Sequence, residues 1–101
     1  MNSFTGIPGD MEEYSDKAEM LKALAHPVRL CIVRGLLSEQ GCNVSKMQGC
    51  LDIPQSTLSQ HLGKLRDLKI LESRRNGVEM NYYVIDEDAK KVVKSLFPSI
   101  D

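Results

Sequence analysis

The most regular alternation of apolar and polar positions runs from Asn43 to Asp67. Val44, Met47 and Leu51 recur at helical intervals, and after a break at Asp52 and Ile53 the spacing resumes with Leu58, Leu62 and Leu65. Such i, i+3/i+4, i+7 patterns place apolar side chains on one helical face. Two short helices joined by a tight turn are predicted. Asn43 caps the first, and Pro54 fits the first turn of the second, where its missing N–H has no partner to lose.

Residues 1–9, with Gly6, Pro8 and Gly9, lack periodicity and are expected to be a flexible arm. Asp10 and Glu13 form a capping-box pattern that opens a helix striped by Met11, Tyr14, Ala18 and Leu21, a face that can pack inward or onto a second subunit. His26-Pro27 ends it and starts a second helix to about Ser38. In that helix Val28, Leu30, Ile32, Val33, Leu36 and Leu37 spread over about 200°, the arc of a central core helix. Arg29 falls inside the arc, so its stem should be covered and its head paired with a carboxylate.

Beyond the central pair, Ile70 and Leu71 lead into a hairpin. Asn76-Gly77 signals its turn, and Tyr82, Tyr83, Val84 and Ile85 favour its second strand. Asp86 caps a final helix whose apolar positions are Val92, Val93 and Leu96, ended by Pro98. The fold class is therefore mainly α with a β-hairpin wing, in the order α-α-α-α-β-β-α, with residues 10–101 as one domain.

Charge adds to this picture through its distribution. The net charge is only −1, but residues 53–78 carry five basic and two acidic groups, while residues 1–25 carry two basic and five acidic. The basic excess falls on the second helix of the pair and the segment after it, the asymmetry expected when one face meets phosphate. Opposite its leucines, that helix carries Ser56, Ser59, Gln60, Gly63 and Lys64, with no carboxylate before Asp67. Hydroxyls, amides and one cation are the groups a helix in the major groove of duplex DNA requires. Ser56, Thr57, Ser59, Gln60 and His61 are the candidates for base edges or nearby phosphates, and Gln55, Lys64, Arg74 and Arg75 for positioning. Thr57 and His61 border the leucine face, where packing or capping is the competing role.

The stretches LKALAHPVRLCIV, LDIPQSTLSQHLGKLRDLKIL and RRNGVEMNYYVI make the chain, from about residue 18 to 86, resemble the ArsR/SmtB family of bacterial winged-helix repressors. The resemblance implies a homodimer built on the first and last helices, through Met11, Tyr14, Ala18, Leu21, Val92, Val93 and Leu96. It also implies a recognition helix in each major groove of a double-stranded operator, wings at the flanks, and repression by covering a promoter. Gly63 departs from the family pattern, which often has a basic residue there.

Where the family's metal-binding helix has Cys-Val-Cys, this chain has Asn43, Val44 and Ser45, and Glu87 and Ala89 occupy the positions of the other familiar site's first pair. His26 and His61 lack ligand partners at a useful spacing, so neither a metal site nor a cofactor is expected. Three cysteines at irregular spacing make no disulfide framework and suit a reducing compartment. Cys42 and Cys50 bracket one helix and stand about 12 Å apart, beyond the roughly 7 Å limit for a disulfide. Cys31 lies outside its helix's apolar arc and is expected to be exposed. A thiol-responsive repressor using Cys31 or Cys42 is thus one alternative, and a winged-helix module that binds protein is another. No Cys-x-x-Cys, cysteine–histidine pair or phosphate loop supports an enzyme. No segment has the length and apolarity of a membrane span, and the N-terminus lacks a signal-peptide pattern, so a cytoplasmic location is expected.

Overall fold

The structure, a computed structural model, describes residues 9–99, so the arm expected at residues 1–9 lies, except for Gly9, outside the described residues. The elements are α1 (Met11–Leu24), α2 (Pro27–Ser38), β1 (Cys42–Asn43), α3 (Val44–Leu51), α4 (Gln55–Asp67), β2 (Leu71–Asn76), β3 (Glu79–Val84) and α5 (Glu87–Leu96). Four helices start on side-chain caps. Asp10, Asn43 and Asp86 each accept a 2.9 Å hydrogen bond from the backbone three residues on, and His26 Nδ1 accepts from the Val28 N–H at 3.1 Å. α4 has no side-chain cap, and Pro54 precedes it instead of occupying its first turn.

The sheet has three antiparallel strands in the order β1-β3-β2, one more than the predicted hairpin. β1 is only two residues long and pairs Cys42 with Tyr82 and Asn43 with Asn81. Gly41 feeds it at φ +82, with its N–H donating to the Tyr82 carbonyl at 3.0 Å. A Cβ at Gly41 would lie 2.9 Å from the Tyr83 hydroxyl oxygen, so only glycine fits this approach. The hairpin turn is also shifted by one residue from its prediction. Asn76 pairs with Glu79, which leaves Gly77-Val78 as the two-residue loop, and Gly77 alone of these four has a positive φ. Glycine at the first central position is the type II′ requirement.

The core forms where α2 and α4 meet the hairpin base and α5. Val33, Leu36, Leu58, Leu62, Leu65, Ile70 and Leu71 are all buried. Val93 joins them at 0 % exposure, which corrects its assignment to a dimer interface, since its side chain is consumed within its own chain. Val92, next to it, is half-buried, and Leu96 remains 58 % exposed. On α1, Met11, Tyr14, Ala18 and Leu21 are likewise exposed, whereas Met20, Ala23 and Leu24 pack inward. α1 is tied to α5 of its own chain by the Lys17–Asp88 ion pair. Arg29 is half-buried as expected, but it has no carboxylate, and its Nε is buried without a hydrogen-bond partner among the described residues.

Candidate nucleic-acid interface

α3 and α4 are joined through Asp52, Ile53 and Pro54. Asp52 takes the left-handed conformation at φ 54, one that aspartate tolerates better than most residues, and this breaks α3 sharply. Gln48 braces the turn by donating a 3.3 Å hydrogen bond to the Ile53 carbonyl. Pro54 then sets the start of α4, with its carbonyl accepting from the Leu58 N–H at 3.0 Å. The outcome is a short helix buttressing a longer one whose outer face is free.

Burial of Leu58, Leu62 and Leu65 on one side of α4 leaves Gln55, Ser56, Ser59, Gln60 and Lys64 exposed on the others. Thr57 and Gly63 are half-buried at the margins. No acidic residue stands in the first turn of α4, and Lys64 and Arg66 lie in its last. The uncapped first-turn N–H groups are therefore free donors at the positive end of the helix dipole.

His61 is placed differently. It is half-buried and its ring lies against that of His26, with centroids 4.5 Å apart and planes tilted by 50°. Burial, then the neighbouring His26 and Arg29, hold its pKa below the ordinary imidazole value, so it is neutral near pH 7. Its competing role as a packing residue is the one its position favours.

The two arginines of the hairpin also part company. They are adjacent in β2, so their side chains leave on opposite faces. Arg74 donates to the Glu72 carboxylate and lays its guanidinium over the Tyr83 ring, 4.1 Å from the centroid. Arg75 is exposed, opposite Met80, and makes no salt bridge or hydrogen bond among the described residues. Val78 at the loop tip is 98 % exposed, an apolar side chain projecting beside the arginines that the sequence singles out. Its signal lay in the residue after Gly77, once the turn is centred correctly.

Cys31 is exposed, as its position outside the apolar arc predicts, and Cys50 is too. Cys42 is half-buried, and desolvation, reinforced by the charge of Glu39, pushes its thiol pKa up. No group of three His, Cys, Asp or Glu residues among those described is arranged to hold a metal ion. No helix among the described residues is long and apolar enough to cross a membrane.

Comparison with known proteins agrees with this geometry. A family profile described as "Helix-turn-helix domain" matches residues 24–74. The transcriptional repressor PagR of Bacillus anthracis is 42% identical over 83 residues, covering 82% of this chain and 83% of PagR. Its crystal structure superposes with a TM-score of 0.79 at 39% identity, over 86% of this chain and 99% of that one. The HTH-type transcriptional repressor SmtB of Mycobacterium tuberculosis is 35% identical over 86 residues, 85% of this chain and 63% of SmtB. HlyU from Vibrio cholerae has a TM-score of 0.83 at 27% identity, covering 88% of this chain and 96% of the other.

Proposed function

Because the chain belongs to the ArsR/SmtB family of winged helix-turn-helix transcriptional repressors, we propose that it is a homodimer that represses by occupying a palindromic operator. One α4 enters each of two successive major grooves, about 34 Å apart, and the hairpins flank them. The observation that carries this reading is the outer face of α4. Ser56, Ser59 and Gln60 offer donors and acceptors to base edges, without a carboxylate to repel phosphate. Gln55, Lys64 and Arg75 supply the sequence-independent contacts that fix register.

The two-fold contact forms from the exposed apolar residues of α1 and α5, namely Met11, Tyr14, Leu21 and Leu96, with Ala18 between them. Large apolar side chains on two adjacent helices favour burial against a second copy. The acidic first turn of α1, with Glu12 and Glu13, keeps this end away from the DNA. The protein acts as a binding protein and not as an enzyme, in the cytoplasm where its operator lies.

Titration of a labelled promoter fragment at several salt concentrations tests the reading. Phosphate neutralisation makes log K fall linearly with log salt, by about 0.9 for each phosphate contacted. A footprint with two-fold symmetry is expected, with half-sites about one helical turn apart. Binding to protein partners alone, with no salt-dependent DNA affinity, would overturn it.

A further inference from the structure

The three cysteines are separated in sequence and sit on three different elements, yet all line one pocket behind the helix pair. The pocket is half-open, has a volume of about 240 Å³ and a mostly apolar lining, and is bounded by α2, β1 and α3. Cys31 and Gly35 come from α2, Cys42 from β1, and Met47 and Cys50 from α3. Glu39 and Lys46, both exposed, form an ion pair at its edge.

The chemistry of this lining selects a ligand class. A volume just below the usual range for small-molecule sites suits a single-ring organic molecule. The thiols do not converge on one point, so they do not form a coordination sphere. What remains is a mostly apolar wall with thiols and one ammonium at its edge, complementary to an apolar molecule with an electrophilic carbon conjugated to a carbonyl. Lys46 is one helical turn before Cys50 on α3, which places the two on the same face. The Lys46–Glu39 pair is solvent-exposed and therefore weak enough to exchange partners.

We propose that this pocket captures a small quinone or related α,β-unsaturated carbonyl covalently, with Cys50 as the attacking thiol and Lys46 meeting the carbonyl oxygen. The Cys50 sulfur adds to the β-carbon, the carbon–carbon π pair shifts to join the α-carbon to the carbonyl carbon, the carbonyl π pair moves onto oxygen as an enolate, and Lys46 stabilises that charge. The thiol proton is returned to the adduct, which for a quinone becomes a hydroquinone thioether, and no external oxidant or reductant is needed. Cys42 stays protonated in its desolvated position and serves as wall. The adduct wedges between α2 and α3, and α3 buries Met47 against the core while bracing the turn into α4. Occupancy therefore shifts α4, a consequence that rests on the DNA-binding reading above.

Reaction of the full chain with para-benzoquinone, followed by peptide mass mapping, tests the site without any DNA. Cys50 is expected to be modified about tenfold faster than Cys31, although both are exposed, and the preference should vanish with iodoacetamide, which needs no apolar pocket. Gly35→Leu fills the pocket from α2, where an added Cβ meets nothing within 4 Å, and should remove the preference without unfolding the protein. Equal labelling of the two thiols by the quinone, an unchanged preference in Gly35→Leu, or an intramolecular disulfide in place of the adduct would overturn the assignment. In a parallel DNA titration, the adduct should weaken binding about tenfold, and Cys50→Ser should bind normally and not respond. Selective labelling with unchanged DNA affinity would overturn the coupling to α4. Failure of the unmodified protein to bind DNA would count against the DNA-binding reading and leave the labelling result standing.

Discussion

The imidazole of His61 on α4 rests on that of His26 at the start of α2, 4.5 Å from centroid to centroid. His26 is itself occupied, because its Nδ1 caps α2 by accepting from the Val28 N–H. The contact thus locks the second helix of the pair to the N-terminus of the central core helix. It also places two titratable rings and the Arg29 guanidinium in one partly dry region.

This arrangement makes stability depend on pH. Burial first, then His26 and Arg29, lower the folded-state pKa of His61 from 6.5, so between the folded and unfolded values the unfolded chain binds more protons. The stabilisation is complete above the unfolded pKa and is lost as pH falls through the folded one. Urea midpoints should therefore decline as pH drops below about 6.5, and His61→Gln should show a shallower decline over the same range. Identical profiles for the two proteins would mean that His61 does not carry the effect.

Gly63 lies in the interior of α4, where an added Cβ would meet nothing within 4 Å. No neighbouring helix among the described residues accounts for the glycine. Gly63→Ala should stabilise the protein by about 1 kcal/mol, because alanine restricts the unfolded chain and favours the helix. For a domain of this size that is a rise of roughly 4–8 °C in Tm, measurable by thermal melting. A drop in Tm would show that the position is tighter than its surroundings indicate.

In the hairpin, Arg74 is held by Glu72 and Tyr83, whereas Arg75 is free to reach out. Arg75→Ala should weaken binding to all DNA sequences alike and reduce the salt slope by about 1. Arg74→Ala should change the slope less, since its head is already partnered. A larger effect at Arg74, or altered base preference at either position, would reverse this assignment.

Most of the helical frame was legible because its signals are local. Leu58, Leu62 and Leu65 declare a buried face by spacing alone, and Asp10, Asn43 and Asp86 are cap residues wherever they precede such a face. β1 could not be read in that way. Two residues carry no period, and Cys42–Asn43 become a strand only because β3 supplies Tyr82 and Asn81 some forty positions later. Asn76-Gly77 marked the hairpin correctly and its centre wrongly, since the register is set by strand pairing as well as by turn preference. Exposure of Ser56, Ser59, Gln60 and Lys64 on α4 follows from the leucine spacing, but the surroundings of His61 and Arg74 depend on His26 and Tyr83, partners contributed by distant elements. The cysteine-lined pocket was hidden for the same reason, as α2, β1 and α3 must assemble before its walls meet.

Val92 and Val93 show how one helix can serve two interfaces, and they frame the test of the dimer. Neighbouring helical residues point about 100° apart, so Val93 turns to the core at 0 % exposure while Val92 does not, and Leu96, one turn beyond Val92, is 58 % exposed, as Leu21 of α1 is at 48 %. Val93→Ala should cost about 2 kcal/mol of folding stability, by leaving a cavity where a fully buried side chain stood. Leu96→Glu and Leu21→Glu should instead leave the circular dichroism of the helices intact while converting the protein to a monomer in sedimentation. Operator affinity should fall with dimer loss, because a single α4 contacts only one half-site. A Leu21→Glu, Leu96→Glu double variant that sediments unchanged would place the two-fold contact elsewhere on the molecule.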